Sequence, residues 1–258
     1  MDALIKIQDL HKSFDKNKVL DGISIDIEKG CSLIIVGRSG SGKSVLLKHI
    51  NRLIQPDSGA IFIEGQDISR IKARELVEVR KNIGMLFQSA ALLDSLTVEE
   101  NVGLGLREGW DYSRDKIKSL VEEKLEMVGL GGAGNLYPAD LSGGMRKRVG
   151  LARAIAASPR ILLYDEPTTG LDPMTSDLIN KLIVDLNNRL EATSVTVTHD
   201  MKVAEIVGDR VVMLHQGQFE FDGTPGEMKT SKNAIVRQFI EGRADGPIQL
   251  DGKYESEV

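Results

Sequence analysis

Apolar and polar residues alternate near the start of the chain, in Leu4-Ile5-Lys6-Ile7 and again in Ile23-Ser24-Ile25-Asp26-Ile27. A period of two puts every second side chain on one face, so these segments predict strands with one buried face. Ile61-Phe62-Ile63 reads as a third strand of the same layer. A second kind of segment follows a different rule. Leu33-Ile34-Ile35-Val36, Ile161-Leu162-Leu163-Tyr164 and Val195-Thr196-Val197 are short and apolar or β-branched. Such runs suit parallel strands covered on both faces. Each is followed at once by residues able to carry chemistry: Gly37, then Asp165-Glu166, then His199-Asp200. Open α/β sheets bind ligands beyond the carboxyl ends of their parallel strands. Three strands are therefore expected to deliver their chemistry to one edge.

Helical spacing dominates residues from about 90 to 158. Between Asp115 and Val128, apolar Ile117, Leu120, Val121, Leu125 and Val128 recur at three- and four-residue intervals. Pro138 marks a break, and a further helix is expected after Ser142. Leu178, Ile179, Leu182, Ile183, Leu186 and Leu190 predict a later amphipathic helix. The pattern implies an α/β core with an antiparallel β layer at its N-terminal end and an inserted helical subdomain. Residues 1–237 would form the main domain. Residues 238–258, polar and containing Gly242, Gly246 and Pro247, would form an extension without a core of its own.

Composition narrows the classes. The chain has 258 residues, 41% hydrophobic and 28% charged, with a formal net charge of −5. That charge gives no nucleic-acid footprint. The lone Cys31 excludes an intramolecular disulfide framework, fits a reducing compartment, and reads as a small packed residue. The first residues carry no apolar signal region, and no apolar run approaches the roughly 18 residues of a membrane span. If the chain acts at a membrane, other chains must do the spanning.

Gly37-Arg38-Ser39-Gly40-Ser41-Gly42-Lys43-Ser44 fits GxxxxGK[ST], the P-loop pattern, in the required context between an apolar strand and a helix start. Gly37, Gly40 and Gly42 let the backbone approach phosphates. Exposed N–H groups, those of Ser39 and Ser41 included, attract the anion together with the helix N-terminus. Lys43 should reach the β- and γ-phosphates of ATP, and the Ser44 hydroxyl should ligate Mg²⁺. In Ile161 to Glu166, a buried strand ends on two carboxylates. Asp165 would support Mg²⁺, and Glu166 would polarise the attacking water as general base. Leu141-Ser142-Gly143-Gly144-Met145 supplies a second anion-binding helix start, with Ser142 as N-cap and two glycines allowing close approach.

Leu141 to Met145 resembles the signature of ABC transporter ATPases, usually written LSGGQ, and the resemblance covers nearly the whole chain. It implies a P-loop NTPase fold and two copies arranged head to tail, the Ser142-Gly143-Gly144 segment of one binding the γ-phosphate held by the P-loop of the other. It also implies roles that spacing does not give. Gln88 is similar to the glutamine that contacts Mg²⁺ and the attacking water. His199 is similar to the histidine that contacts the γ-phosphate. Asp172, in Thr169-Gly170-Leu171-Asp172, falls in the segment similar to the D-loop, and Phe14 resembles the aromatic that stacks on adenine. His11, His49 and His215 match no such position and are expected to be structural. Met145 stands where the family usually has Gln, and Phe14 where Tyr is commoner. Neither change removes a phosphate-binding amide or a stacking face.

Finer details resemble the Mla/Mce-type phospholipid-transport ATPases. They are Val45 after Lys43-Ser44, the run Ser89 to Val98, Met145-Arg146-Lys147-Arg148-Val149, and Gln238-Phe239 followed by Ala244 to Pro247. That resemblance implies the cytoplasmic face of a bacterial inner membrane. The implied partners are an MlaE-like permease, an MlaD-like lipid-binding protein and an MlaB-like STAS protein. Ala90, Ala91, Leu92, Leu93 and Leu96 are apolar for a loop and could either line a groove for a permease helix or pack within the helical subdomain. The alternative is an importer ATPase for amino acids or another small solute. A non-transport ABC ATPase would need long coiled-coil heptads or two ATPase units in one chain, and this sequence has neither.

Overall fold

The computed structural model describes residues 3–249. In chain order the strands are β1 (Ala3–Phe14), β2 (Asn17–Glu28), β3 (Ser32–Val36), β4 (Ser58–Ile63), β5 (Gln66–Asp67), β6 (Ile83–Leu86), β7 (Ile161–Asp165), β8 (Thr193–Thr198), β9 (Arg210–His215) and β10 (Gln218–Gly223). The helices are α1 (Lys43–Ile50), α2 (Ala73–Arg80), α3 (Val98–Gly109), α4 (Arg114–Met127), α5 (Gly143–Ala154), α6 (Pro173–Leu190), α7 (Met201–Val207), α8 (Pro225–Lys229) and α9 (Ala234–Glu241). A four-stranded antiparallel sheet has the order β2-β1-β4-β5, and a six-stranded sheet has the order β10-β9-β3-β8-β7-β6. All neighbours in the second sheet are parallel except β10, which pairs antiparallel with β9 at the edge.

The pleat of the parallel strands divides the core in two. Leu33 and Ile35 point into the layer shared with the antiparallel sheet, where Ile5, Ile7, Ile23, Ile25 and Ile61 meet them. Ile34 and Val36 point the other way, toward the helices. Leu46, Leu47 and Ile50 of α1 are fully buried between the two sheets. Each such side chain contributes roughly 1.5–3 kcal/mol by leaving water, so α1 and the loop before it are held from both sides. The alternation at Leu4–Ile7 and Ile23–Ile27 thus marks the antiparallel layer, and Ile61 to Ile63 belongs to it as expected.

β8 carries polar residues on its helix-facing side: Ser194 and Thr198 find hydrogen-bond partners, whereas Thr196 Oγ1 is buried without one among the described residues. Tyr164, completely buried, donates its hydroxyl to Asn187 Oδ1 at 2.9 Å, and Asn187 Nδ2 donates to Ser194 Oγ at 2.9 Å. Burial pushes the Tyr164 phenol well above its usual range. Strands β7 and β8 are in this way pinned to α6.

Helices α3 to α5 lie between β6 and β7, where the helical insertion was expected. Thr97 caps α3 in a reciprocal box with Glu100, and Ser113 caps α4. Leu178 departs from the expected apolar face of α6: it is 51% exposed, while Ile179, Ile183 and Leu186 are buried. The anticipated boundary at 237/238 falls inside α9. Gln238 is buried, accepts from Ile248 N at 2.7 Å and donates to Ile248 O at 3.0 Å. Ile248 joins the helix-side core, and Arg38 donates to Gln249 O at 2.9 Å. The described part of the extension is therefore docked, because one amide side chain satisfies the turn and one apolar side chain is buried. Residues 250–258 of the expected extension lie outside the described residues.

Candidate functional site

Four adjacent parallel strands end at one edge, and their next residues form the site. Gly37 to Gly42 follow β3, Gln88 follows β6, Asp165 ends β7 with Glu166 next, and His199 follows β8. The loop after β3 wraps tightly. At Gly37 (φ 155°) a Cβ would lie 2.5 Å from Leu214 O and 2.8 Å from Ser41 Oγ. Gly42, the N-cap of α1, sits at φ 100°, where a Cβ would press on Val19. Only glycine fits both positions. Ser41 Oγ is buried and has no hydrogen-bond partner among the described residues.

Lys43 is 5% exposed and arches back over this loop. It donates to Gly37 O at 2.8 Å and Arg38 O at 2.9 Å, and its Nζ is 3.8 Å from Glu166 Oε1. Burial lowers its pKa, and the charges of Glu166 and Asp165 oppose that shift. Ser44 donates to Asp165 Oδ1 at 2.6 Å. Two hard oxygen donors thus stand side by side, which fits a small divalent cation that takes its other ligands from phosphate and water.

Glu166 has a left-handed backbone, φ 48°, a conformation that costs about 1–3 kcal/mol for a non-glycine residue and clusters at functional sites. Its carboxylate accepts from Thr169 Oγ1 at 3.0 Å, and His199 Nδ1 lies 2.9 Å from the same Oε2. An ionised carboxylate only accepts, so Nδ1 carries the proton in this contact. Glu166 O in turn accepts from Lys147 Nζ at 3.1 Å.

The other expected residues are placed less centrally. The Gln88 side chain is exposed, and its carbonyl accepts from Lys147. Phe14, at the end of β1, is 46% exposed, with Lys12 Nζ 5.4 Å from its ring centroid. Ser142 caps α5 by accepting from Met145 N at 3.2 Å. Gly143 and Gly144 pack on the segment after β7: a Cβ at Gly144 would come within 2.7 Å of Thr175 Cγ2. Among the described residues no hydrogen bond joins Ser142, Gly143 or Gly144 to the loop after β3. Asp172 spends its carboxylate on capping α6, accepting from Met174 N and Thr175 N at 3.0 Å each and from Thr175 Oγ1 at 2.5 Å. The Thr175 hydroxyl holds that carboxyl below its ordinary pKa.

Of the two readings of the stretch from Ala90 to Leu96, Ala90 follows packing within the helical subdomain and does not line an open groove. It is buried against Gly150 of α5, and Leu93, at 47% exposure, is the large apolar side chain of that stretch left open. His49 is buried with Nδ1 donating to Val45 O at 2.7 Å, in keeping with a structural role. Sequence reasoning named Thr169 and Lys147 only as members of family-like segments, with no role of their own, and passed over Arg153. A Lys and an Arg flanking Gly150 at three-residue spacing, Lys147 and Arg153, were the available signal.

A family model described as "ABC transporter" matches residues 20–169, more than half of the chain. The probable ribonucleotide transport ATP-binding protein mkl of Mycobacterium leprae is 41% identical over 97% of this chain and 72% of its own length. The intermembrane phospholipid transport system ATP-binding protein MlaF of Haemophilus influenzae is 39% identical over 98% of this chain and 96% of its own. The methionine import ATP-binding protein MetN of Carboxydothermus hydrogenoformans is 47% identical over 87% and 67%. Among solved structures, the dimeric ATP-binding cassette MJ0796 in a post-hydrolysis state with ADP and Pi superposes with a TM-score of 0.79 at 34% identity, over 86% of this chain and 98% of that one.

Proposed function

The chain belongs to the ABC transporter family, and on that premise we propose that it powers phospholipid transport, with Glu166 as general base in an ATP site completed by a second copy. Its general activity follows from the family: it is the ATP-binding, ATP-hydrolysing subunit of a transporter, acting with a second copy of itself and a membrane permease. Among the described residues no helix is long and apolar enough to cross a membrane.

The observation that carries the site reading is the convergence of Lys43, Ser44, Asp165, Glu166 and His199 at one sheet edge. Gly37, Ser39, Gly40, Ser41 and Gly42 would hold the triphosphate with backbone N–H groups, and the unpartnered Ser41 hydroxyl suits a phosphate oxygen. Ser44, Asp165 and Gln88 would hold Mg²⁺, directly or through water. The ion supplies charge neutralisation at the β- and γ-oxygens. Lys43 would exchange its two loop carbonyls for phosphate oxygens, which are stronger, charged acceptors. Glu166 would take the proton of the attacking water. His199, held by Glu166 through Nδ1, would present Nε2 to the γ-phosphate. Ser142, Gly143 and Gly144 would close on the partner's nucleotide, with Asp172 shaping the adjoining loop and Phe14 stacking on adenine.

For the substrate, the supporting observation is the match to MlaF, co-extensive over 98% and 96% of the two chains. The Val45, Ser89 to Val98, Met145 to Val149 and Ala244 to Pro247 markers point the same way. This reading puts the chain on the cytoplasmic face of a bacterial inner membrane with MlaE-, MlaD- and MlaB-like partners. The methionine importer at 47% identity favours a second reading, import of a small solute. Reconstitution of the purified complex in liposomes with labelled phospholipid separates them. ATP-dependent lipid transfer, lost in Glu166→Gln, is the expected result. Movement of an amino acid with phospholipid untouched would overturn the substrate reading.

A further inference from the structure

Helix α5 does more than present Ser142 at its N-terminus. One of its faces, at successive three-residue steps, lies along the loop that follows β6. Lys147, 5% exposed, donates to Gln88 O and to Glu166 O. Gly150 lets the helix approach so closely that a Cβ there would meet Leu86 Cδ1 at 2.7 Å and Ala90 Cβ at 3.1 Å. Arg153 donates to Ala90 O and to Ala91 O. Ala90 (φ 62°) and Ala91 (φ 47°) are both left-handed, so the loop leaves Gln88 through an unfavourable bend, and Arg153 satisfies its carbonyls. The helix and the loop are thereby fastened at both ends of one face.

Lys147 is the only one of these side chains that also reaches the strand carrying the carboxylates. Burying an ammonium is costly unless it is well solvated by acceptors. Here the acceptors are two backbone carbonyls from different strand ends, and Asp165 and Glu166 supply compensating negative charge against the burial that lowers its pKa. One of those carbonyls belongs to Glu166, whose left-handed backbone aims the carboxylate toward Lys43 and His199.

We propose that Lys147 is a positioning residue that couples the two ATP sites of the dimer, tying the helix whose N-terminus touches one nucleotide to the backbone of Glu166 and Gln88 at the other. The coupling rests on the reading that Ser142 acts on the partner's nucleotide; the positioning of Glu166 does not. When α5 is drawn toward the partner's nucleotide, its Lys147 carries Gln88 O and Glu166 O with it. A rigid helix, not a flexible loop, transmits the movement across about one and a half turns.

The test is steady-state ATP hydrolysis by the assembled transporter against ATP concentration, with Lys147→Met, Lys147→Gln and, as a control, Ser142→Arg. Lys147→Met should lower kcat at least fivefold with ATP affinity unchanged within twofold, and should bring the Hill coefficient toward one. Lys147→Gln keeps a donor and should recover at least half of the lost kcat. Loss of kcat with native cooperativity would overturn the coupling, and unchanged kcat and cooperativity in Lys147→Met would overturn the proposal altogether. Equal impairment of both variants, with lowered melting temperature and weakened ATP binding, would reduce Lys147 to a packing residue and overturn it too. Native cooperativity in Ser142→Arg would instead show that the trans reading has failed, whatever Lys147 does.

Discussion

His199 Nδ1 lies 2.9 Å from Glu166 Oε2, and that one contact joins the ends of β7 and β8 across the site. Thr169 shares the same carboxylate oxygen, and Lys43 Nζ stands 3.8 Å from the other. The carboxylate is therefore oriented from three sides before any water reaches it. Glu166→Gln keeps the shape and removes the base. Turnover should fall at least about 100-fold, the lower range for losing a general base, while ATP stays bound. Nucleotide recovered from the mutant complex should be ATP; rapid conversion to ADP would assign the base elsewhere.

Lys43→Ala removes the buried ammonium that faces the loop carbonyls and both carboxylates. Hydrolysis should be abolished and ATP binding severely weakened. Equilibrium binding of a fluorescent ATP analogue to the assembled transporter checks this, and near-normal binding with normal turnover would remove Lys43 from the site.

Tyr164→Phe tests the fold without touching the site edge. It leaves the buried Asn187 Oδ1 without its donor. Such an orphaned acceptor costs about 1–3 kcal/mol, so the melting temperature should drop by several degrees while ATP affinity holds. An unchanged melting curve would mean that Asn187 finds another donor.

Much of this was legible in advance because the signal was local. β3, β7 and β8 announce themselves as apolar runs, and Lys43-Ser44 and Asp165-Glu166 sit directly at their ends. The full lengths of β1 and β2 were not legible, since bulges near Leu10 and Ser13 break the alternation. Lys147 was hidden because a lysine in a helix as polar as α5 reads as a solvent-facing residue; only the tertiary approach of the loop after β6 buries it. Leu178 misled in the opposite sense, carrying the right period on the exposed side of α6. The roles proposed for Gln88 and Asp172 rest on family resemblance alone, since an exposed amide and a capping carboxylate have no chemical signature of their own.

Leu93→Glu should separate coupling from chemistry. Leu93 is half exposed beside a loop that Asn101 fixes through its backbone, accepting from Leu93 N at 2.8 Å. A charge there should release or uncouple the permease and leave ATP binding intact. Co-purification of the permease with the mutant, together with the ATP affinity, reads both halves. Full transport by the mutant would move the permease contact to another surface.

The account rests most on the composite site, in which Ser142 of one copy serves the nucleotide held by Lys43 of the other. Mixed transporters test it directly through the number of ATP molecules bound per dimer. With Lys43→Ala in one subunit and Ser142→Arg in the other, both lesions fall on a single site, and one ATP should remain bound. With both lesions in the same subunit, each site is damaged once, and no tightly bound ATP should remain. Equal stoichiometry in the two arrangements would contradict the head-to-tail assembly.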